Sequence, residues 1–468
     1  MLSSIGSPIF SLNSLLRHPV FLIATAGIAV RLLIFPFAEV GYDADCWAVI
    51  IRNLESGQGL YRLEGYYYTP VWGYSLSFQS VMQELFLHID VMGRRVPEAF
   101  PVETYSVWWS ANATSVTFNF FLKIPFLISD LIVGYLIYWL IKDLTKDMKK
   151  AVIGFALWFL SPLVICVTSI SGMFDTFSVL FALLCVIMVR KDKLFLGGVL
   201  FVFAVLTKFF PIYLIFILLA YIIVKHRDDG KALRSVIIAA AGALTAFFVL
   251  MAPQIAGGEL SESFLFLTSR ATNENHFGSF ADILLNPAVI AGAAGIAVSA
   301  ILGYLLTKKS KETLDGSFFK YALLIMLSVF ISPGLPQYLV LLIPFLAIYT
   351  VTADSRFKWC WLLVSVGGTM FIIARYFDLF LSLGAFTDIV SLDRIISLAE
   401  WSNTPIFFGH SLISLSFAVS AAAACGILLG MALFVVEWYD RGRRGEDVFG
   451  SAFFSSVFRF SFRSSRMR

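Results

Sequence analysis

Two aspartates, Asp43 and Asp45, stand two positions apart in the segment GYDADCW, just beyond the first apolar block of the chain. A carboxylate here could act as a general base, because it can accept the proton of an attacking hydroxyl when it lies within hydrogen-bond reach. Two carboxylates at this spacing could also hold a metal ion or lie on a solvated turn. The neighbouring sequence has to decide between these alternatives.

An aromatic segment follows the two aspartates. Gly57 and Tyr61 precede the run YYYTPVWGY at 66–74, which contains Tyr68. Rings with an apolar body and a polar tip suit a membrane interface, and proline makes the segment rigid. Sugars stack on such rings, so the segment favours a carbohydrate site, with Tyr68 as a substrate-binding candidate.

Ionisable residues within or beside apolar blocks form a second group of candidates. Asp175 lies in SISGMFDTFSVLF, and Lys208 lies in LTKFFPIYL. A charge at the centre of a membrane helix costs about 2.5–3.5 kcal/mol on insertion scales, so such residues usually mark a site or an ion pair. Asp175 and Lys208 are therefore substrate-binding candidates. For both of them, and for Lys123, the alternative is a side chain that extends to the interface. Asp130 lies deeper and is expected to pair with a neighbouring helix.

Loop cations are the third group. Arg270 and His276 lie in SRATNENHFGSF, and Arg375 lies in IIARYFDLF. A phosphate at a membrane surface needs a fixed positive charge, and the guanidinium of arginine offers a bidentate fork. All three are phosphate-binding candidates. A structural salt bridge is the alternative for either arginine.

The composition shows what kind of chain carries these residues. Of 468 residues, 59% are hydrophobic and only 14% are charged, and the mean hydropathy is +0.84. Apolar blocks of about 17–25 residues can cross the hydrocarbon core of a bilayer, and the backbone within lipid must satisfy its own hydrogen bonds, as a helix does. The sequence therefore predicts an all-α polytopic membrane protein with about twelve spans, at 20–38, 119–141, 152–169, 173–189, 195–207, 210–224, 234–252, 288–306, 319–332, 337–352, 359–374 and 409–436.

The distribution of charge orients these spans. Most of the 35 Lys and Arg residues fall in short connections such as KDLTKDMKK and KHRDDGK and in the C-terminal tail. By the positive-inside rule these segments are cytoplasmic, and so are both termini. Three long segments, 39–118, 253–287 and 375–408, are then external. The segment 69–88 fits a helix lying at the external interface rather than a span.

Several classes of chemistry have no motif in this chain. The P-loop, HExxH, GxSxG and GxGxxG motifs are absent, which excludes the ATPases, zinc proteases and serine esterases that depend on them. The five cysteines are scattered without zinc-ligand spacing. We therefore expect no metal ligand set and no nucleic-acid partner.

The motifs, taken in order, resemble the GT-C superfamily of membrane glycosyltransferases over about residues 20–350. The acidic first external loop, the Gly and Tyr, and the aromatic-proline element of that superfamily read here as GYDADCW, SGQGLY and YYYTPVWGY. Later family-like segments are LKIPFLISDL, SPLVICVTSISGMFDTF, TKFFPIYL and SPGLPQYLVLLIPF. The first loop looks closest to the catalytic subunit of GPI mannosyltransferase I and its prokaryotic relatives.

This resemblance implies a GT-C fold whose long external loops carry interfacial helices. It also implies an inverting transfer of a sugar, expected to be mannose, from a polyprenyl- or dolichyl-phosphate carrier. Asp43 is the first candidate for the base and Asp45 the second. The leaving lipid phosphate needs fixed cations, and the candidates in falling order are Arg270, His276, Lys208 and Arg375. No cofactor is chemically required, although the DxD spacing also allows a divalent metal.

The resemblance sets further expectations about organisation and partners. The chain is expected to be one membrane domain over 1–468, with a catalytic part at 19–141, core helix hairpins at 142–350, C-terminal helices at 351–436 and a basic cytoplasmic tail at 437–468. The partners would be a lipid-linked sugar donor, membrane lipid and a glycan, lipid or protein acceptor, and an accessory subunit is allowed. The membrane would be the plasma membrane of a prokaryote or the endoplasmic reticulum of a eukaryote.

Two functions from other classes remain as alternatives. The first is a flippase or secondary transporter for lipid-linked or other substrates, for which internal repeats and discontinuous helices near mid-membrane would be expected. The second is a structural membrane subunit that holds a partner. No repeat is evident in the sequence, and the ionisable candidates cluster toward one face, which favours the glycosyltransferase.

Overall fold

The computed structural model describes residues 18–61, 66, 68–87, 94–95, 112–264, 286–331, 335–376, 379–406 and 408–443. These residues are almost entirely helical, and a two-residue antiparallel pairing joins β1 (Arg94–Arg95) to β2 (Asn112–Ala113). The helices in chain order are α1 (Pro19–Ile34), α2 (Gly41–Glu55), α3 (Pro70–Met82), α4 (Val116–Thr145), α5 (Met148–Phe159), α6 (Pro162–Ile165), α7 (Asp175–Arg190), α8 (Leu194–Thr207), α9 (Ile215–His226), α10 (Ala232–Gly257), α11 (Pro287–Thr307), α12 (Leu314–Val329), α13 (Ile343–Thr352), α14 (Phe357–Arg375), α15 (Leu381–Phe386), α16 (Leu392–Asn403) and α17 (Leu412–Arg443).

Short segments of other helix types extend several of these helices. Turns of π-helix follow α3 at Gln83–Leu87 and α6 at Cys166–Ile170. Turns of 3-10 helix occur at Phe210–Leu214, Glu262–Phe264 and Pro336–Leu342. The all-α polytopic fold class predicted from the sequence is confirmed.

Fewer helices meet the length and composition of a membrane span than the twelve that the sequence predicts. Among the described residues, each of the twelve predicted spans contains helix over most of its length. By length and composition, however, five helices of the described part could cross a membrane, namely α4, α10, α11, α14 and α17. A sixth arises if α5 and the segment Pro162–Ile170, which meet at a bend of 42°, form one broken span. The count of twelve therefore stays a prediction.

Side-chain caps define where the central helices begin and end. Ser115 precedes α4, and its hydroxyl accepts a hydrogen bond of 3.1 Å from the backbone N–H of Phe118. Asp147 caps α5 in the same way through the N–H groups of Lys149 and Lys150. Such caps satisfy N–H groups that have no partner within the helix. The cap at Asp147 begins α5 at Met148, so only a short turn separates it from the end of α4 at Thr145.

A buried ion pair ties α1 to α4. Asp130 lies within α4, and its Oδ2 is 3.3 Å from Nη2 of Arg31 on α1. Both side chains are fully buried, and Thr168 donates a further hydrogen bond of 2.9 Å to Asp130. The prediction that Asp130 pairs with a neighbouring helix is confirmed, with Arg31 as the partner.

Two glycines let α8 and α10 touch backbone to backbone. A Cβ at Gly198 of α8 would collide with the carbonyl oxygen of Ala239, and a Cβ at Gly242 of α10 would collide with that of Phe195. Small residues at a crossing point allow membrane helices to approach closely. The two helices consequently lie side by side along much of their length.

One end of the helices carries a network of ion pairs, which we call the paired end and define by Asp143, Arg190, Tyr221 and Asp315. Nη2 of Arg190, at the end of α7, lies 3.1 Å from Oδ2 of Asp143 on α4 and 2.7 Å from Oδ2 of Asp315 on α12. The Tyr221 hydroxyl donates a hydrogen bond of 2.7 Å to Asp315. The network joins four helices at their ends.

Candidate active site

The α7–α8 hairpin places two predicted site residues together at the end of the helices opposite Arg190. Asp175 is the first residue of α7 and Lys208 directly follows α8, so the short link between the antiparallel helices brings both to one end. Lys208 Nζ lies 3.6 Å from Asp175 Oδ1, and both side chains are buried. Neither carboxylate oxygen of Asp175 accepts a hydrogen bond from the described residues.

Aromatic rings enclose the lysine. Lys208 Nζ lies 4.1 Å from the ring centroid of Phe174, 4.8 Å from that of Tyr68 and 5.3 Å from that of Tyr338. Trp72 of α3 stacks on Phe174 at 4.9 Å with an interplanar angle of 4°. Cations over ring faces are stabilised by the ring quadrupole. The ammonium is therefore held in a fixed position beside Tyr68, which the sequence predicts to bind substrate.

Asp43 belongs electrostatically to the same group. It lies in the first turn of α2, half-buried. Burial raises its pKa to about 6, the Lys208 ammonium acts in the opposite direction, and Asp175 raises it further. Near pH 7 this carboxyl is largely ionised yet more basic than an ordinary aspartate, which suits a general base. We call Asp43, Tyr68, Asp175 and Lys208 the site cluster.

Asp45 occupies a different position on the same helix. The sequence places GYDADCW at the opening of an external loop, but the structure shows that these residues begin α2. Side chains two residues apart on a helix do not share a face, so Asp43 and Asp45 do not form a pair of convergent ligands. Within the described residues, no group of three or more His, Cys, Asp or Glu could hold a metal ion.

Of the predicted loop cations, only Arg375 belongs to the described residues, and it does not contact this cluster. Arg270 and His276 lie outside the described residues. Arg375 is at the exposed C-terminal end of α14, where its guanidinium carbon lies 5.9 Å from the ring centroid of Tyr376. The cation that the described structure places beside the two carboxylates is thus Lys208, the third of the four phosphate-binding candidates.

Helix α3 is anchored by side-chain hydrogen bonds to the ends of α8 and α10. The Thr69 hydroxyl donates to the carbonyl oxygen of Leu206 on α8. The Tyr74 hydroxyl donates a hydrogen bond of 2.6 Å to the carbonyl oxygen of Leu250 on α10. Trp72 and Leu76 are buried in a cluster that includes Trp47 of α2. These contacts fix the aromatic segment that the sequence predicts to be a rigid platform.

Sequence reasoning missed three residues near this end. Tyr338 lies within SPGLPQYLVLLIPF, but it was not distinguished from the apolar residues around it. Arg31 is a charge inside the first apolar block, and Glu39 directly follows that block. Both are fully buried. Ionisable residues within or next to a span are a signal that could have found them.

The family described as the ALG6, ALG8 glycosyltransferase family matches residues 91–270, less than half of the chain. The matched stretch contains Asp175 and Lys208, whereas Asp43 and Tyr68 precede it. Neither the curated proteins nor the solved structures include a significant match.

This match confirms the resemblance to the GT-C superfamily of membrane glycosyltransferases. It supports a glycosyltransferase that uses a lipid-linked sugar donor within a membrane. It does not select mannose, because that family also includes glucosyltransferases.

Proposed function

We propose that this protein transfers a hexose, with mannose as the first candidate, from a polyprenyl- or dolichyl-phosphate carrier to a hydroxyl of a glycan, lipid or protein acceptor, with inversion at the anomeric carbon. The observation that carries the proposal is the buried Lys208–Asp175 pair, whose two charges act on the half-buried Asp43 carboxyl in the first turn of α2. A base and a cation at one end of the helices are what this reaction needs.

In this proposal Asp43 accepts a proton and Lys208 stabilises the negative charge of the leaving phosphate. Asp43 accepts the proton of the acceptor hydroxyl while that oxygen attacks the anomeric carbon. The bond from the anomeric carbon to the phosphate oxygen breaks, and the lipid monophosphate leaves with the bonding electrons. Lys208 lies where its ammonium can stabilise the charge that develops on that phosphate. Because Lys208 is buried among aromatic rings, this stabilisation is stronger than it would be in water.

The surrounding residues have supporting roles in this proposal. Asp175 holds the Lys208 ammonium in place, and Tyr68 offers its ring to the sugar. Arg270, His276 and Arg375 remain candidates for contacts with the phosphate from the loops. A divalent metal is not needed for the departure of a monophosphate. The chain would act as one membrane domain with cytoplasmic termini and the site at the external or lumenal face, in the plasma membrane of a prokaryote or the endoplasmic reticulum of a eukaryote.

Purified protein tests the proposal directly. Sugar transfer from short-chain polyprenyl-phosphate mannose and from its glucose analogue would be measured on a panel of glycan and lipid acceptors, with and without EDTA. Asp43→Asn keeps the shape of the side chain but removes the base, and we expect transfer to fall by about 10²–10⁴-fold. We expect Asp45→Asn to reduce sugar transfer by a smaller factor. Asp393→Asn serves as the matched control, because Asp393 is an exposed acid in the first turn of α16.

The outcomes separate the function from the site. Loss of transfer in Asp43→Asn alone supports both. Loss in Asp45→Asn with an active Asp43→Asn would move the base to Asp45. If the wild-type protein transfers no sugar from any donor, but moves a labelled lipid-linked sugar across proteoliposomes, the glycosyltransferase proposal is wrong and a flippase takes its place.

A further inference from the structure

Glu39 is a fully buried carboxylate in the turn between α1 and α2. Its Oε2 accepts hydrogen bonds from the Thr114 hydroxyl and from the Asn119 amide, the latter at 3.1 Å. Its Oε1 accepts a hydrogen bond from the Ser382 hydroxyl. One side chain thus joins three parts of the chain that are far apart in sequence: the turn after α1, the start of α4 and helix α15.

The same turn is held from its other side by Lys123. The ammonium of this buried α4 residue donates to the carbonyl oxygen of Phe35 at 3.0 Å and to that of Ala38. These carbonyls lie just beyond α1, where a cation interacts favourably with the helix dipole. The backbone N–H of Glu39 donates a hydrogen bond of 2.9 Å to the carbonyl oxygen of Leu379. Residues 35–39 are consequently fixed by both α4 and the segment before α15.

Glu39 lies one helical turn before Asp43. Val40 caps α2, and its carbonyl oxygen accepts a hydrogen bond of 2.9 Å from the N–H of Ala44. Only Val40 separates Glu39 from Gly41, the first residue of α2, so a shift of Glu39 would be passed to the first turn of the helix, which holds Asp43.

A buried carboxylate is not needed merely to hold helices together. Well-packed apolar residues often give stability equal to or greater than that of buried charged groups, so the charge of Glu39 is better explained by a need for one particular geometry than by stability. Burial raises the pKa of Glu39, while its three donors and the nearby Lys123 ammonium favour the charged form. The hydrogen bonds of Glu39 are directional, so they fix the position of the turn relative to Thr114, Asn119 and Ser382.

On this basis, and resting on the proposed role of Asp43, we infer that Glu39 is a positioning residue that sets where the catalytic carboxylate stands, with Ser382 and Asn119 as its supports. The inference also gives α15, which lies in the last of the three predicted external segments, a role in positioning the site. Through Ser382 it steadies the start of α2 from the opposite end of the sequence.

Two substitutions of different severity test this inference. Glu39→Gln keeps the size of the side chain and one acceptor oxygen but removes the charge and one acceptor site. Ser382→Ala removes one donor. We expect kcat to fall at least tenfold in Glu39→Gln and less in Ser382→Ala, with the donor KM changed less than twofold, because a displacement near 1 Å can cost about 100-fold in rate. Ser365→Ala, which removes a buried serine that contacts Ser161 far from α2, is the matched control.

The pH profile distinguishes positioning from a structural role. If Glu39→Gln moves Asp43 into better contact with water, the acidic limb of kcat should shift to lower pH, whereas loss of folded protein alone would leave its midpoint unchanged. Unchanged kcat per folded molecule in both variants would overturn the inference, and so would a loss with an unshifted limb. These failures are distinct from failure of the proposed function. In that case the wild-type protein would transfer no sugar, or Asp43→Asn would transfer it as well as the wild type does.

Discussion

Charged side chains at the two ends of the helices differ in exposure and in the distances of their ion pairs. At the paired end, Arg190 lies within 3.1 Å of two carboxylates that are each more than one-third exposed. At the other end, Lys208 and Asp175 are 3.6 Å apart, both are buried, and neither oxygen of Asp175 accepts a hydrogen bond from the described residues. Native proteins leave few buried polar atoms unsatisfied, and those that remain often have a function. Nη1 of Arg190 also has no hydrogen-bond partner among the described residues, so the two ends differ in exposure: the carboxylates of the paired end are partly open to water, whereas the Lys208–Asp175 pair is buried. From this comparison we propose that the paired end stabilises the protein and that the site cluster binds a substrate.

The largest expected effect is that of removing the buried cation. In Lys208→Met, Asp175 would be left as a buried charge without compensation, which typically costs 3–5 kcal/mol, on the order of a thousandfold in the folding equilibrium. Transfer should be lost as well, since the leaving phosphate loses its cation. Thermal unfolding in detergent and the transfer assay measure the two effects.

A double variant separates those two losses. Lys208→Met combined with Asp175→Asn removes both charges, so much of the stability should return while transfer stays low. Recovery of transfer in the double variant would contradict the assigned role of Lys208. An equally unstable double variant would mean that the ion pair is not the source of the stability effect.

The next effect is the dependence of transfer on pH. Because burial and Asp175 hold the pKa of Asp43 near 6, the active carboxylate form is lost as the pH falls through that value. Below it, kcat should decrease about tenfold per pH unit. Asp175→Asn removes a neighbouring negative charge, so the acidic limb should move to lower pH. A pH series on both proteins checks the direction, and a limb that moves upward would show that Asp175 does not act on the base.

The smallest effect is expected at the paired end. Arg190→Met leaves Asp143 and Asp315, which are partly in contact with water, so the loss of stability should be about 1 kcal/mol. Transfer per folded molecule should remain within twofold of the wild-type value. A large loss of transfer in this variant would remove the distinction between the two ends.

Much of the helical architecture could be predicted from the sequence, because apolar block length and charge placement report directly on membrane helices. Among the described residues, each predicted span contains helix over most of its length. The proximity of Asp175 to Lys208 also follows from the sequence, since a short connection between two helices brings the start of one to the end of the other. The partner of Asp130 could not be named, because it depends on which helix packs beside α4.

The details of the site were less accessible. Lys123 was expected either to mark a site or to reach the interface, but it is buried and caps the carbonyl end of α1. Glu39 was not distinguished, since its partners Asn119 and Ser382 are 80 and 343 residues away in the sequence. The helical start of α2 was read as a loop because GYDADCW is too short and polar to show a period of 3.6 residues.

The glycine contact between α8 and α10 sets the distance between the two helix ends to which α3 is hydrogen-bonded. Gly198 and Leu206 are eight residues apart, as are Gly242 and Leu250, so each carbonyl that anchors α3 lies about 12 Å along its helix from the contact. The span from Thr69 to Tyr74 must match the separation of those two carbonyls. The absence of a Cβ at Gly198 and Gly242 thereby determines where the aromatic helix α3 is positioned at the end of α8 and α10.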